Sequence, residues 1–365
     1  MDKLLFFASD FKIGLSSLLT DELIAFNQSN LDILAIAGEG EQEHGLSDKL
    51  CANKIHISRI NGLDQHSNFR KLTCQIARLI EEEEIKFIHV QNNWQLAIIS
   101  YIKYIKLKDH KLKVIYTLHA FRHNSPIKSV LARFIIGITL LFFVDRVICM
   151  STYLTKRFWF IRYKIAEIPL GINDDYFIKE RIKGPSNGLQ MIFPAQFRHG
   201  KNHKLIIKAF AEHIKKENDE ESKIIFPGKG PLEADLRELS NSLGLKDRVI
   251  FEGFCTKNKI KELYLQSNIG IVASNSETFG QSIVEPFVLG RCVLTTHVGI
   301  ADDIIKEGVN GFFFNSKRSL VNLFGTLYHR QEVIESIGRK NFEKRYLFSW
   351  KKITYRYVTM LQNIK

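Results

Sequence analysis

The chain has 365 residues, 45% of them hydrophobic and 25% charged, ordinary values for a soluble globular protein with room for two cores. Its five cysteines, Cys51, Cys74, Cys149, Cys255 and Cys292, are scattered and form no CxxC pair; this excludes a disulfide frame or zinc site and indicates a reducing compartment. The net charge of +13 comes with no RNA-recognition, KH or zinc motif, so no nucleic-acid partner is expected.

The first half alternates strand and helix signals. Lys3 to Ser9 reads as a buried strand, its apolar run being too short for a secretory signal. Leu15 to Phe26 reads as a helix and Leu31 to Ala37 as a strand. Phe69 to Ile85 is amphipathic, with Leu72, Ile76, Leu79 and Ile80 on one face. Phe87 to Val90, Val114 to Leu118 and Arg146 to Met150 follow as strands, separated by helices at Trp94 to Ile105 and Ser129 to Phe143. Glu167 to Gly171 reads as the last strand of this half. Repeated βα units with continuous apolar strands indicate a parallel, doubly wound sheet. The longest uncharged apolar run, Phe134 to Val144, falls short of the ~18–20 residues that span a bilayer.

Residues 100–165 carry thirteen Lys and Arg against Asp109 and Asp145, interleaved with Tyr101, Tyr104, Phe121, Phe134, Phe158, Trp159 and Phe160. Such a stretch is either a set of solvated helix faces or a surface for anionic lipid, nucleic acid or a phosphorylated substrate.

The turn-rich segment 179–188 reads as a linker, after which the pattern restarts. Met191 to Phe197, Ile224 to Phe226 and Val249 to Phe251 read as strands, with helices at Leu205 to Lys215 and Leu232 to Leu243. The stretch Asn268 to Gly290 organises the half. It runs from a short buried strand (Ile269 to Ala273) through a polar loop to a helix starting near Gln281 and stopped by Gly290. Glu277 lies in the loop and Glu285 in the helix. The free N–H groups of a first helical turn attract anions, and an ionised carboxylate accepts both hydrogens of a vicinal diol. Three helices close the chain, the last from Trp350 to Ile364 with a packing stripe of Trp350, Ile353, Tyr357, Met360 and Leu361. The expected organisation is therefore residues 1–178, a linker at 179–188, a second domain at 189–345, and a C-terminal helix at 346–365 packing back on the body. Ligands of such sheets bind beyond the strand carboxyl ends, and two such domains leave a cleft between them.

Several blocks, in order, resemble the retaining glycosyltransferases of family GT4. These are VIYTLHAF, KIAEIPLGIND, MIFPAQFRHGKNHKLIIKAF, FPGKGPLEADLRELSNSLGLKDRVIFEGF, SETFGQSIVEP and GVNGFFF. The resemblance implies an α/β architecture of the GT-B type, two Rossmann-like domains facing across a cleft, the first for the acceptor and the second for the nucleotide-sugar. It implies that Glu285 binds the ribose hydroxyls and that Glu277 lies by the transferred sugar, with the backbone around Phe279, Gly280 and Gln281. Lys201 would neutralise the leaving diphosphate without a metal or other cofactor, Gly14 would admit the phosphates to the first loop, and His119 would hydrogen-bond in the site. For His119 a buried structural role is the alternative. Where the family often opens its basic loop with Gly-Arg, this chain has Ala195-Gln196, and Arg198 is either the replacement cation or a surface arginine. Pro286, directly after Glu285, is expected to bend the helix.

The implied activity is transfer of a sugar from a UDP- or GDP-sugar to a glycan acceptor, lipid-diphosphate-linked, as in bacterial O-antigen, capsule or lipopolysaccharide assembly. The expected location is cytoplasmic and peripheral to the inner membrane face, with residues 100–165 on anionic lipid. The competing readings are an inactive nucleotide-sugar-binding partner subunit and a sugar-nucleotide epimerase on the same fold.

Overall fold

The structure is a computed structural model and describes residues 3–7, 15–29, 31–38, 46–60, 63, 69–109, 111–119 and 126–364. The chain forms two compact units. One comprises residues 1–150, 154–171 and 350–365, and the other 151–153 and 172–349.

In the first unit, seven strands make one parallel sheet: β1 (Leu4–Phe7), β2 (Ile33–Gly38), β3 (His56–Ile60), β4 (Phe87–Val90), β5 (Lys113–Leu118), β6 (Arg146–Cys149) and β7 (Ile165–Glu167). Their order is β3-β2-β1-β4-β5-β6-β7. The helices are α1 (Leu15–Gln28), α2 (Leu46–Ala52), α3 (Phe69–Glu82), α4 (Asn93–Tyr101) and α5 (Pro126–Phe143); a single turn, α6 (Thr152–Thr155), starts on residues grouped with the other unit. β1 and most of β4 and β5 are buried, which is why their sequences run apolar instead of alternating. β7 ends before Pro169, which has no N–H to give a ladder, so the strand lies nearer the N-terminus than the apolar pattern of 167–171 implies.

The second unit holds β8 (Gln190–Ile192), β9 (Lys223–Pro227), β10 (Val249–Gly253), β11 (Ile269–Val272), β12 (Cys292–Thr295) and β13 (Phe312–Phe313). They are parallel, in the order β10-β9-β8-β11-β12-β13. Its helices are α7 (His203–Glu217), α8 (Glu233–Ser242), α9 (Lys257–Leu265), α10 (Gln281–Val288), α11 (Ala301–Ile304), α12 (Lys317–His329) and α13 (Gln331–Glu343). Residues 179–188 belong to this unit. Arg181 forms a two-pronged ion pair with Glu335, and the buried Arg291 and Asn268 donate to the carbonyls of Ile182 and Pro185. Those bonds hold the turn-rich segment against the sheet.

The last helix, α14 (Trp350–Gln362), joins the first unit. Trp350, Ile353, Tyr357, Met360 and Leu361 enter one core with Leu4, Phe6, Leu19, Leu23 and Phe26, and the Tyr357 and Phe26 rings stack at 4.2 Å.

Candidate functional site

In the second unit the loops after β8 and β11 lie side by side, as neighbouring parallel strands require. The first runs from Phe193 through a tight turn at His199–Lys201 to α7; the second runs from Ala273 to Gly280 and into α10. The Asn275 N–H donates to the Gly200 carbonyl at 2.9 Å, and the Ser282 hydroxyl to the Pro194 carbonyl at 3.0 Å. Across this junction the Lys201 ammonium donates to the Glu277 carboxylate, both side chains being largely buried.

Gly280 takes a left-handed conformation, φ 95°, at the start of α10 and turns the chain so that the first-turn amides follow directly on the Glu277 loop. Phe279 is buried, with its carbonyl accepting from the Ile300 N–H at 2.8 Å. Gly299 is also left-handed, φ 54°, and a Cβ there would stand 2.2 Å from the Phe279 oxygen. Only glycine lets these two backbones approach so closely. The basic loop is braced from its other side: the Ala195 and Phe197 N–H groups donate to the carbonyls of Pro227 and Lys229. Gln196 and Arg198 are exposed on that loop.

Glu285 lies one turn further along α10, half-buried. Burial pushes its carboxyl up to about 7, against the opposing pull of the Lys257 charge and the Tyr264 hydroxyl. That hydroxyl faces the carboxyl from α9, fully buried and without a well-aligned hydrogen bond. Tyr176 is buried as well, its hydroxyl directed at the Lys257 carbonyl, and burial with the nearby Glu285 charge suppresses its acidity. Tyr176, Tyr264 and Lys257 are neighbours of Glu285 that no motif indicated. The spacing of Leu263 and Tyr264 on α9 marks both as inward-facing, but inward spacing does not distinguish a core residue from one beside a carboxylate.

His119 belongs to the first unit, just past the end of β5, and is half-buried with Nε2 on the Gln91 side-chain oxygen. Behind Gln91 lies His89, fully buried. Its Nε2 is 2.6 Å from the Thr117 hydroxyl, and its Nδ1 is 3.0 Å from the Tyr357 hydroxyl of α14. Burial, with the His119 charge as a smaller cause, brings His89 down to about 3, so its ring is neutral. Gly14, Phe121 and Arg122 lie outside the described residues.

The basic stretch divides into two groups. Lys103 is buried and bonded to Asp145 at 3.0 Å, and the Lys164 ammonium donates to the Leu141 and Val144 carbonyls at the end of α5. These two cations serve the fold. Elsewhere α5 exposes Phe134, Ile138 and Phe142, one residue per turn, with Trp159 71% exposed nearby in sequence. Among the described residues no helix is long and apolar enough to cross a membrane, and no three His, Cys, Asp or Glu side chains gather as a metal-binding set.

A model of the family "Glycosyl transferases group 1" matches residues 175–344. EpsD of Bacillus subtilis (strain 168), a glycosyltransferase by name, is 23% identical over 298 residues, 75% of this chain and 76% of the relative. The crystal structure of Anabaena HepE in complex with UDP-glucose superposes with a TM-score of 0.78 at 19% identity, covering 99% of this chain and 100% of that one. The apo lipopolysaccharide outer core galactosyltransferase WaaB gives 0.75 at 12% identity, over 99% of both chains. Both likenesses carry the fold, two Rossmann-like sheets with C-terminal helices. Residues 175–344, which hold Lys201, Glu277 and Glu285, thus match the group 1 glycosyltransferases, and the whole chain shares the two-sheet GT-B fold of these solved structures.

Proposed function

We propose that this enzyme moves a hexose from a UDP- or GDP-sugar to a lipid-diphosphate-linked glycan in bacterial surface polysaccharide synthesis, at the inner face of the plasma membrane. The observation that carries the donor half is the Lys201–Glu277 pair beside the start of α10, with Glu285 further along the same helix. A diphosphate leaving group gains charge as the glycosidic bond breaks. A fixed ammonium and a helix N-terminus stabilise that charge without a metal. Glu285 accepts from the ribose hydroxyls, and Glu277 and the backbone at Phe279, Gly280 and Gln281 hold the sugar and phosphate. Arg198 supplies a second phosphate contact, and Gly14 and His119 keep the roles that the resemblance implies. The bond from the anomeric carbon to the diphosphate breaks, and a bond to the acceptor oxygen forms on the same face. The acceptor proton passes to the departing phosphate oxygen, and configuration is retained.

The acceptor half rests on the exposed stripe Phe134, Ile138 and Phe142 and on Trp159, amid exposed cations such as Lys156 and Arg162. An apolar groove of about 380 Å³ between α4 and α5, lined by Leu96, Ala97, Ile135, Ile136, Leu140 and Phe143, adjoins the stripe. Each cation near an anionic leaflet contributes roughly 1 kcal/mol, weakened by salt. WaaB, by its name, works on lipopolysaccharide.

The test is nucleotide release from UDP-, GDP- and ADP-sugars with membrane lipid extract, beside a Glu285→Ala control. Release that needs the extract and disappears in the variant supports the reading. Binding without turnover indicates a partner subunit, and an isomerised sugar formed without extract indicates an epimerase. Flotation with anionic and neutral liposomes at low and high salt tests the surface; equal recovery with both lipids overturns it.

A further inference from the structure

We propose that Gln91 is a positioning residue that sets which ring nitrogen of His119 carries the proton, in register with the buried His89–Tyr357 pair of the C-terminal helix. This rests on the reading that His119 hydrogen-bonds in the site, close to the transferred sugar.

The argument is a matter of donors and acceptors. A primary amide has an oxygen that only accepts and a nitrogen that only donates. In Gln91 the oxygen meets His119 Nε2, and the nitrogen is 3.4 Å from His89 Nε2. One amide thus lies between two imidazoles, each presenting Nε2. If His119 Nε2 is the donor, His89 Nε2 must be an acceptor. Reversing the amide would reverse both. The two rings are therefore held in opposite tautomers.

The amide orientation, with its oxygen on His119 and its nitrogen toward His89, selects one of the two, and the hydroxyls around His89, each able to donate or accept, fit it. With Nε2 accepting, His89 carries its proton on Nδ1 and donates it to the Tyr357 oxygen at 3.0 Å. Thr117, whose hydroxyl turns freely, adds a second donor to Nε2 at 2.6 Å. The His89 ring cannot rotate away from this geometry. It is wedged edge-on against Phe6 at 4.7 Å and stacked on Tyr357 at 5.5 Å, with no exposed surface. The depressed basicity of His89 keeps it from becoming a donor at both nitrogens. Gln91 itself is buried, and its backbone N–H donates to the Gln95 side chain at 2.6 Å at the start of α4. His119 is then an Nε2–H tautomer and accepts at Nδ1. Tyr357 reaches this arrangement from a position 268 residues from His89.

The experiment uses the full chain with histidine labelled in ¹⁵N. Two-bond proton–nitrogen correlations report the tautomer of each ring, assigned with His89→Gln and His119→Ala, and need no turnover. The expected result is Nε2–H for His119 and Nδ1–H for His89. In Gln91→Leu the His119 ring signals shift toward a mixture, and kcat falls about tenfold, the scale of a misplaced hydrogen-bonding group, with the donor KM within about twofold. Gln91→Glu keeps an acceptor for His119 Nε2 and restores its tautomer; it also serves if the leucine variant folds poorly. Identical tautomers in the two rings, or an unshifted His119 in Gln91→Leu, overturn the proposal. Opposite tautomers with unchanged kcat would leave Gln91 as the positioning residue and overturn instead the role of His119 in transfer.

Discussion

Lys201 and Glu277, 76 residues apart in sequence, share one hydrogen-bonded ion pair where the loops after β8 and β11 meet. Each loop comes off a neighbouring strand of the same sheet, so the sheet itself sets their separation. The pair fastens the glutamate loop, and in the proposed reaction the same lysine faces the leaving diphosphate.

Lys201→Ala is therefore expected to do two things. Loss of a fixed charge at a developing anion costs on the order of 10²–10³ in kcat/KM. It also leaves the largely buried Glu277 carboxylate without its cation. The double variant Lys201→Ala, Glu277→Gln should then be more stable than Lys201→Ala alone, with a coupling of about 1 kcal/mol or more in a double-mutant cycle. Additive unfolding energies would show that the pair is not formed.

Glu285 should make donor binding depend on pH. Its folded value of about 7 lies above the ordinary carboxylate value, because burial penalises the charged form. The unfolded chain releases this proton first, so ionised Glu285 opposes folding: stability falls as pH rises from the ordinary value through 7. On the role proposed for Glu285, donor affinity runs the other way, since only the ionised carboxylate can accept from both ribose hydroxyls. Nucleotide affinity is expected to weaken by up to about tenfold from pH 8 to pH 6, one pH unit below the folded value. Glu285→Gln should bind weakly at both and lose the stability slope. Calorimetric titration at the two pH values, with thermal melts, checks both signs.

Gly299→Ala tests the backbone approach behind the glutamate loop. A left-handed alanine costs roughly 1–2 kcal/mol before any contact is counted. The new Cβ would also stand 2.2 Å from the Phe279 oxygen and 3.1 Å from the Glu277 Cβ, so the loop must move. Both the melting temperature and kcat/KM should drop. An unchanged kcat/KM would show that the loop tolerates displacement.

His203 opens α7 inside a cage of aromatic rings: Phe193 at 4.9 Å, Phe197 at 5.0 Å and Phe226 at 5.1 Å. Among the described residues neither ring nitrogen has a partner, and burial, helped by Lys201, brings it down to about 3. A histidine held neutral contributes no penalty above its unfolded value near 6.5, and costs stability as pH falls below it. His203→Phe should raise the melting temperature, more at pH 5 than at pH 7.5. An advantage equal at both pH values would show that His203 is charged in the fold or wetted.

The sequence by itself determined most of the strand runs, though not the half-exposed β3 (His56–Ile60), and with them the parallel arrangement of both halves and the polar segments that follow the strands. Helical and strand periodicities depend on neighbours within a few positions, so they are written locally. Glu277 and Glu285 stood out in the loop and helix that follow an apolar strand, and Lys201 through the resemblance of its block to family GT4. The same local signal placed α10, read as starting near Gln281 and stopped by Gly290, and the helix does run through Pro286 to Val288.

Only the tertiary structure decided which charges are solvated and which polar side chains meet. Lys103 and Lys164 read as surface cations of a basic run, yet Asp145 and the carbonyls ending α5 absorb them. Tyr176 and Tyr264 come to Glu285 from a turn and a helix distant in sequence. Tyr357 reaches His89 through a packing stripe whose spacing announces only burial. Desolvation and hydrogen bonding depend on what arrives from remote segments of the chain, and pattern within one segment carries no record of that arrival.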